Sequence, residues 1–455
     1  MIRGYPERPS VSPGQQLTLC VSTDAPRFKV AFHRWGADGF VSMSETGWLA
    51  GAPVPDGLPQ ADWQWPPYAF DIPRHWPSGV YVAHLIESEQ PQPLAVWMDQ
   101  AAALFIVRGP GKAPILYKLP LATYHAYNVS GGACFYFQPP QTREDPPGAK
   151  LSWHRPGGGI GGLTFGAPDH YDTASPRQTF AHWDAVMIRW LLREGFELEF
   201  CADVDVHHDP ERLARHRLVM SAGHDEYWTD AMRDHVQAYA EQGGHVAFFG
   251  GNTCWWRIHL IEGDTAMVCH QGGPKGALDH WWPPNGVHRP EDRLSGVSYR
   301  HGGGWWDGLR HAEPMVVHDG GHWVFEGTAL ACGDRFGHTS TPPLVGYECD
   351  GAPLEWLDEA RGLAQLDPRA AECGTPPGLQ LLAVAKLEPL WQELPHREHH
   401  PAWQGLHNCT MALHPRGRGW VFSASTTDWA QVVANGSDPH VATITRNVLR
   451  RALLA

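Results

Sequence analysis

The chain has 455 residues, 42% of them hydrophobic and 18% charged, so it exceeds one ordinary domain and can bury a large core. With 35 Lys and Arg against 49 Asp and Glu, a formal net charge of −14, it offers little to neutralise phosphates over a broad face, which argues against a nucleic-acid partner. No apolar run approaches the roughly 20 residues that span a bilayer, the first six residues lack an apolar signal core, and nine scattered cysteines fit reduced thiols, so a cytoplasmic protein is expected.

Residues 1–110 read as all-β. Apolar and polar side chains alternate over Leu17–Ser22, the period of a half-buried strand. Phe28–Phe32, Val80–Ala83 and Leu104–Val107 repeat the theme, with turn signals at Ser12-Pro13-Gly14 and Trp76-Pro77-Ser78-Gly79. Such a series predicts an immunoglobulin-like β-sandwich. Gly109-Pro110-Gly111 marks the passage into a second domain, 111–455.

In that domain strand and helix alternate. A strand opens at Ile115 and is expected to end near Thr123. A helix is expected from Arg177 to Arg193, with Val186, Trp190 and Leu191 on its apolar face and Gly195 as its stop. Then follow a strand at Phe196–Phe200, a short helix at Pro210–His216, a strand at Leu218–Met220, a helix at Asp230–Tyr239 and a strand at His245–Phe249. The alternation predicts a mostly parallel α/β sheet of the amidotransferase-like or Rossmann-like kind, with helices on both faces. Residues 260–420, rich in Gly, Pro, Trp and His, predict loops and antiparallel additions over the site. A closing helix is expected to bury Val441, Ile444, Val448 and Ala452.

Two strand ends carry chemistry. The run Ser221-Ala222-Gly223-His224-Asp225-Glu226-Tyr227-Trp228 leaves one strand, and Gly250-Gly251-Asn252 leaves the next. Open α/β sheets hold ligands at the carboxyl ends of their strands, so His224, Glu226 and Asn252 are expected in one pocket. A Glu with a His suffices for a metal-bound water and a proton carrier. Asp225 is expected to cap the helix that starts near Thr229. Thr123-Tyr124-His125-Ala126-Tyr127-Asn128, then Gly131-Gly132, is a further polar strand end, and a tyrosine phenolate there could bind a hard ferric ion. Asp203-Val204-Asp205-Val206-His207-His208 reads as an acidic turn capping the next helix, and His396, His399 and His400 as solvated loop residues. Cys134, Cys201 and Cys254 lie outside any nucleophile-elbow pattern. The 22 tryptophans are expected mainly as core anchors, with a sugar or amine site as the other reading.

Ala126-Tyr127-Asn128 with Gly131-Gly132, Trp190-Leu191 with Arg193-Glu194-Gly195, Asp203-Val204-Asp205-Val206-His207, Gly223-His224-Asp225-Glu226-Tyr227-Trp228, Gly251-Asn252 with Trp256-Arg257, and Gly346-Tyr347-Glu348 with Asp350 occur in order. Together they resemble the catalytic domain of the N,N-dimethylformamidase large (beta) subunit family. Arg34-Trp35-Gly36 and Trp76-Pro77-Ser78-Gly79-Val80-Tyr81 are similar to the sandwich domain of that family. The resemblance implies formamide hydrolysis with a mononuclear iron (zinc as alternative) held by two tyrosines and a glutamate. Glu226 would be the carboxylate ligand and Tyr127 one phenolate. His224 and Asn252 would surround the metal or contact substrate, and Glu348 would be the acid–base carboxylate. The family's usual Tyr after Arg-Pro is absent, since Gly157-Gly158-Gly159 follows Arg155-Pro156. Tyr171, or else His154 or His170, would replace it.

The expectation is therefore a metal-dependent hydrolase of a small amide. A metal-bound water would attack the amide carbon, and His224 or Glu348 would carry the proton to the leaving amine. Tyr171 is expected to face the pocket with Tyr127 and Glu226. The partners expected are a small-molecule amide, a homo-oligomeric copy and possibly a small subunit, with no nucleic acid and no membrane. The alternative is a non-catalytic small-molecule or carbohydrate-binding protein that keeps the fold without the metal.

Overall fold

A computed structural model describes residues 1–137, 148–166, 168–271, 279–282, 286–306, 308–388, 391 and 406–454. The chain is sheet-rich and divides into two compact units, Met1–Asp209 with Ile258–Gly276, and Pro210–Arg257 with Ala277–Ala455.

The first unit begins all-β. Its strands are β1 (Arg3–Pro6), β2 (Ser10–Val11), β3 (Gln16–Ser22), β4 (Arg27–Gly36), β5 (Gly39–Glu45), β6 (Pro67–Asp71), β7 (Gly79–Ile86) and β8 (Ala102–Val107). They form two sheets, ordered β1-β3-β6 and β2-β8-β7-β4-β5. Leu17, Leu19 and Val21 of β3 meet Phe28, Val30 and Phe32 of β4, Tyr81 and Leu85 of β7 and Phe105 of β8 in one core. One core shared by two sheets is a sandwich, as the period-2 patterning predicts. Each such buried side chain contributes roughly 1.5–3 kcal/mol. All eight residues of β7 are buried, so its alternation is hidden, as in any strand covered on both faces.

Next come β9 (Ile115–Leu119) and β10 (Leu198–Ala202), parallel neighbours registered Ile115↔Leu198 to Leu119↔Ala202. β9 stops before Thr123, at Pro120, which has no N–H for a ladder. A helix α1 (Leu121–Tyr127) follows, every residue of it buried, so Tyr127 ends a helix rather than a strand. Helix α2 spans Asp184–Arg193, shorter than expected. Gln178 at φ +62° lies outside helical geometry. The buried stripe of α2 is Ala185, Met187, Ile188 and Leu191, and the expected Val186 and Trp190 are only half-buried. Gly195 at φ +82° stops it, with Phe196 N–H returning to Leu191 O at 3.1 Å. The expected acidic turn is itself a helix, α3 (Asp203–His208).

The second unit contains β11 (Leu218–His224), helix α4 (Asp230–Glu241), β12 (His245–Gly251), β13 (Ser298–Gly304), β14 (Met315–Val317), β15 (Arg335–Phe336), β16 (Glu348–Gly351), β17 (Gln380–Lys386), β18 (Asn408–Arg416) and β19 (Gly419–Ser423). Its sheet runs β11-β12-β19-β18-β17-β14-β15. Within this unit β11, β12 and β19 are parallel, and the rest of the sheet is antiparallel. The unit is thus mixed rather than mostly parallel, because the late segment adds antiparallel strands to the sheet edge. Thr229 opens α4, its Oγ1 accepting Met232 N–H at 3.1 Å. Helix α5 (Trp429–Asn435) ends at Gly436, φ +68°. Helix α6 (Pro439–Leu453) starts with Pro at its first position and Asp438 accepting from His440 N–H at 2.9 Å. It buries Val441, Ile444, Val448 and Ala452 as expected.

Candidate functional site

β11 and β12 are parallel and in register from Leu218↔His245 to His224↔Gly251. His224 and the residue after Gly251, Asn252, therefore emerge side by side. Asn252 stands at φ +51°, a left-handed conformation that Asn tolerates better than most residues. Its backbone N–H donates to Asp350 Oδ1 at 3.0 Å and the Thr253 N–H to Asp350 Oδ2 at 3.3 Å. The glycines have a steric reason. A Cβ on Gly250 would strike the Gly223 carbonyl oxygen, and one on Gly251 would come within 2.5 Å of the Glu348 carbonyl oxygen. Only a bare backbone lets β16 approach the strand ends this closely.

Glu348 is the centre of the polar cluster. Its Oε2 lies 2.7 Å from His224 Nε2 and accepts from Asn252 Nδ2 at 3.0 Å. Its Oε1 accepts from Trp306 Nε1, just beyond β13, at 3.0 Å. Glu226 Oε2 lies 3.5 Å from the same His224 nitrogen. His224, Glu226, Asn252 and Glu348 are all buried. Burial opposes the charged imidazole of His224, but Glu348 and Glu226 overcome it and hold its pKa above the ordinary histidine value. Burial likewise opposes the Glu348 carboxylate, and His224, Asn252 and Trp306 together bring its pKa below the usual range. The two shifts agree on a buried imidazolium–carboxylate pair.

Two polar atoms face this cluster without a hydrogen-bond partner among the described residues, Asn252 Oδ1 and the Tyr299 hydroxyl. Tyr299 is 4% exposed, and burial with Glu348 and Tyr347 nearby pushes its phenol well above the usual value. The hydroxyl is a neutral donor. A Cβ on Gly304 would come within 2.6 Å of both Trp306 Nε1 and the Tyr299 hydroxyl, so these two groups sit together. Buried polar atoms without protein partners are rare and are met by water or a ligand. The ring of Tyr347 stands edge-on to His224, centroids 6.2 Å apart. Sequence reasoning missed Trp306 and Tyr299. The glycines Gly302-Gly303-Gly304 just before a Trp pair were the available signal.

Asp225 does not cap α4, because Thr229 does, and its Oδ1 instead accepts from Trp228 Nε1 at 3.0 Å. Asp203 pairs with Lys118 at 2.6 Å and accepts the Ala122 N–H in the first turn of α1 at 2.6 Å, whereas Asp205 accepts the Ala202 N–H at 2.8 Å at the start of its own helix. The nine cysteines are free thiols, and burial raises Cys134 to about 11. Trp65, Trp183, Trp228, Trp255, Trp281, Trp282 and Trp429 are core side chains. His396, His399 and His400 lie outside the described residues.

Tyr127 and Tyr171 belong to the first unit. Tyr127 is buried and stacks on Tyr136, centroids 4.3 Å apart. Tyr171 is half-buried, its N–H donating to Asp169 Oδ1 at 2.8 Å, and its ring meets His170 edge-on. His154 stacks on Tyr5 and lies 3.2 Å from Asp62. The glycine run after Arg155-Pro156 wraps α1. Gly157 has φ +108°, and a Cβ there would come within 2.5 Å of the Asn128 amide. Gly158 and Gly159 lie as tightly on His125 and Tyr124. That position has no room for a tyrosine side chain.

The chain is 24% identical over 299 residues to the N,N-dimethylformamidase beta subunit of Alcaligenes sp, covering 59% of this chain and 36% of that protein. It is 24% identical over 297 residues to the N,N-dimethylformamidase beta subunit of Paracoccus aminophilus, covering 58% and 36%. It thus matches little more than a third of the length of these relatives. Among solved structures, the exo-beta-1,4-mannosidase Op5Man5 from Opitutaceae bacterium strain TAV5 overlays at a TM-score of 0.29 and 10% identity, covering 75% of this chain and 36% of that one. A likeness that small supports no argument. A model of the N,N-dimethylformamidase beta subunit-like C-terminal family matches residues 33–440. The chain belongs to the N,N-dimethylformamidase beta subunit-like family.

Proposed function

We propose that the chain hydrolyses the C–N bond of a small, formamide-like amide at the second-unit cluster. The carrying observation is the Glu348 carboxylate held by His224, Asn252 and Trp306, with Asn252 Oδ1 and the Tyr299 hydroxyl left for a ligand among the described residues. In this reading the neutral Tyr299 hydroxyl donates to the amide oxygen, where charge develops in the transition state. Glu348 takes a proton from the attacking water, and its 2.7 Å partner His224 passes a proton to the leaving amine. Water plus amide then gives carboxylic acid plus amine. Asn252 orients both Glu348 and the substrate.

On the family resemblance we propose a mononuclear iron for this chain. Among the described residues, His224, Glu226 and Glu348 do not converge as three donors for one ion, so other donors are needed. Glu226 offers a hard anionic oxygen, as phenolates do, and such donors suit ferric iron. Glu226 is proposed as its carboxylate ligand, and Tyr127 and Tyr171 stay proposed as phenolate ligands, with zinc as the alternative metal. When bound, such an ion would supply a Lewis acid for the amide oxygen.

A tyrosine hydroxyl bonding back to the preceding corner is an immunoglobulin-like feature, and Tyr81 donates to Pro77 O at 2.8 Å while stacking on Trp76. This supports an immunoglobulin-like domain over 1–110, and the parallel strands β11, β12 and β19 support an amidotransferase-like α/β catalytic domain over 111–455. No described helix is long and apolar enough to cross a membrane. We place the protein in the cytoplasm on its free thiols and propose that it acts as a homo-oligomer with a small subunit as a further partner; that the relatives are beta subunits supports only the existence of a partner chain.

The test is amine release from small formamides and acetamides by the purified, metal-replete protein. Release that falls about 10²-fold or more in Glu348→Gln supports the reading. Saturable amide binding without any amine release would instead favour the non-catalytic alternative.

A further inference from the structure

The geometry points to a second metal site, independent of the amide site, formed in the first unit by His207, His208 and Asp264 for a borderline divalent ion such as Zn²⁺. One donor atom from each residue falls within 4.8 Å of the others. His208 Nε2 lies 2.6 Å from Asp264 Oδ2, and the two imidazole rings stand edge to face, centroids 4.6 Å apart. The backbone fixes both sides of the site. The histidines end α3, whose start is tied down by Asp203 to Lys118 and by Asp205 to the Ala202 N–H. Asp264 lies in the hairpin turn between the antiparallel strands His259–Ile261 and Ala266–His270. Glu262, Gly263 and Asp264 stand at φ +54°, +67° and +69°, and Asp264 N–H closes the turn on Ile261 O at 3.0 Å.

Tetrahedral zinc with ligands at about 2.0–2.2 Å holds its donors about 3.3–3.5 Å apart. The observed spread closes by small side-chain rotations, which solvent access allows, since His208 is 52% and Asp264 33% exposed. Two imidazoles and one carboxylate select zinc, nickel or copper over calcium and magnesium, which prefer all-oxygen shells. The fourth position is open to water, so the site would exchange its ion readily. As a bare ion pair, the exposed His208–Asp264 contact would contribute at most about 1 kcal/mol.

The experiment is zinc titration of the full purified chain by calorimetry, with thermal unfolding with and without Zn²⁺. Wild type is compared with His207→Asn, His208→Asn, Asp264→Asn and, as control, Glu226→Gln. The expected result is a zinc ion that Glu226→Gln still binds as tightly as wild type does and that each of the other three binds with affinity lower by about tenfold or more. Zn²⁺ should raise the melting temperature of wild type and not that of Asp264→Asn, and calcium should not compete. Equal zinc uptake in wild type and all three variants, or none by wild type, overturns the site. Circular dichroism keeps a misfolded variant from passing as a lost ligand.

Discussion

The imidazole Nε2 of His224 lies 2.7 Å from Oε2 of Glu348, although His224 ends a parallel strand and Glu348 opens an antiparallel ribbon. The pair acts as one unit, since each keeps the other charged in a buried place. Glu348→Gln keeps the shape and removes the charge, and turnover should fall about 10²–10³-fold. Adding His224→Asn should cost little more, because residues working as a unit are non-additive. Kinetics of amine release on the two single variants and the double variant checks this. Losses that multiply would show that the two residues act separately.

The bare backbone at Gly251 makes that approach possible. In Gly251→Ala the new Cβ would press on the Glu348 carbonyl oxygen at 2.5 Å and the Thr427 nitrogen at 3.0 Å. Both are main-chain atoms, so β16 must shift. The expected cost is about 1–3 kcal/mol of stability, together with a fall in kcat as Glu348 leaves His224. Gly47→Ala, with nothing within 4 Å of its Cβ, is the control. Denaturant midpoints at unchanged m-value and steady-state kinetics read the two effects. An active, fully stable Gly251→Ala would contradict the packing argument.

The readable part of this site was the part that local chain grammar encodes. Gly223-His224 and Gly250-Gly251-Asn252 each follow an apolar strand, and parallel pairing brings such ends to one edge. Glu348 was found through the family resemblance, because its partners come from distant segments. Trp306 and Tyr299 were missed for the same reason, since β13 and β16 pair across a bulged register that no local period reveals. In the fold, alternation disclosed the sandwich, but the buried strand β7 carries no such period. Pro120 ends β9 ahead of Thr123, and the left-handed Gln178 keeps α2 from reaching back to Arg177, two local stops that outweigh the apolar pattern. The antiparallel strands β17 and β18 were expected only as unspecified additions, for their neighbours in the sheet are set by tertiary packing.

Several buried histidines are held neutral, and acid should expose the cost. Burial, with Arg155 and His154 adding to it, pulls His125 down to about 3, and burial also lowers His84 and His414. The unfolded chain takes up a proton near pH 6.5 that the folded one refuses until much lower. The folded state therefore binds fewer protons in this window, and stability is present above about pH 6.5 and lost as pH falls toward 3. One such histidine costs about 1.4 kcal/mol per pH unit, or about 2 kcal/mol by pH 5. Urea unfolding at pH 7 and pH 5 should show this loss shrinking by about that amount in His125→Leu. An unchanged pH slope in this variant would remove His125 from the account.

Arg155 offers the sharpest test of how the first unit holds Tyr127. It is fully buried and donates to the carbonyl oxygens of His125 at 2.8 Å, Asn128 at 2.8 Å, Ser130 at 2.9 Å and Ser152 at 2.9 Å. Burial lowers its pKa to about 10, so it stays charged at neutral pH, at the negative end of α1. The guanidinium fork thus fastens the last turn of the helix on which Tyr127 sits. Arg155→Met would strand those carbonyls and should cost about 3–5 kcal/mol. Arg155→Lys keeps the charge but not the fork, so it should fold with a smaller loss and release Tyr127 from its fixed place. If Tyr127 serves the amide chemistry, Arg155→Lys should lose activity out of proportion to its stability. Denaturant titration and amine-release kinetics on the same samples separate the two, and an Arg155→Lys variant that is destabilised but fully active would detach Tyr127 from function.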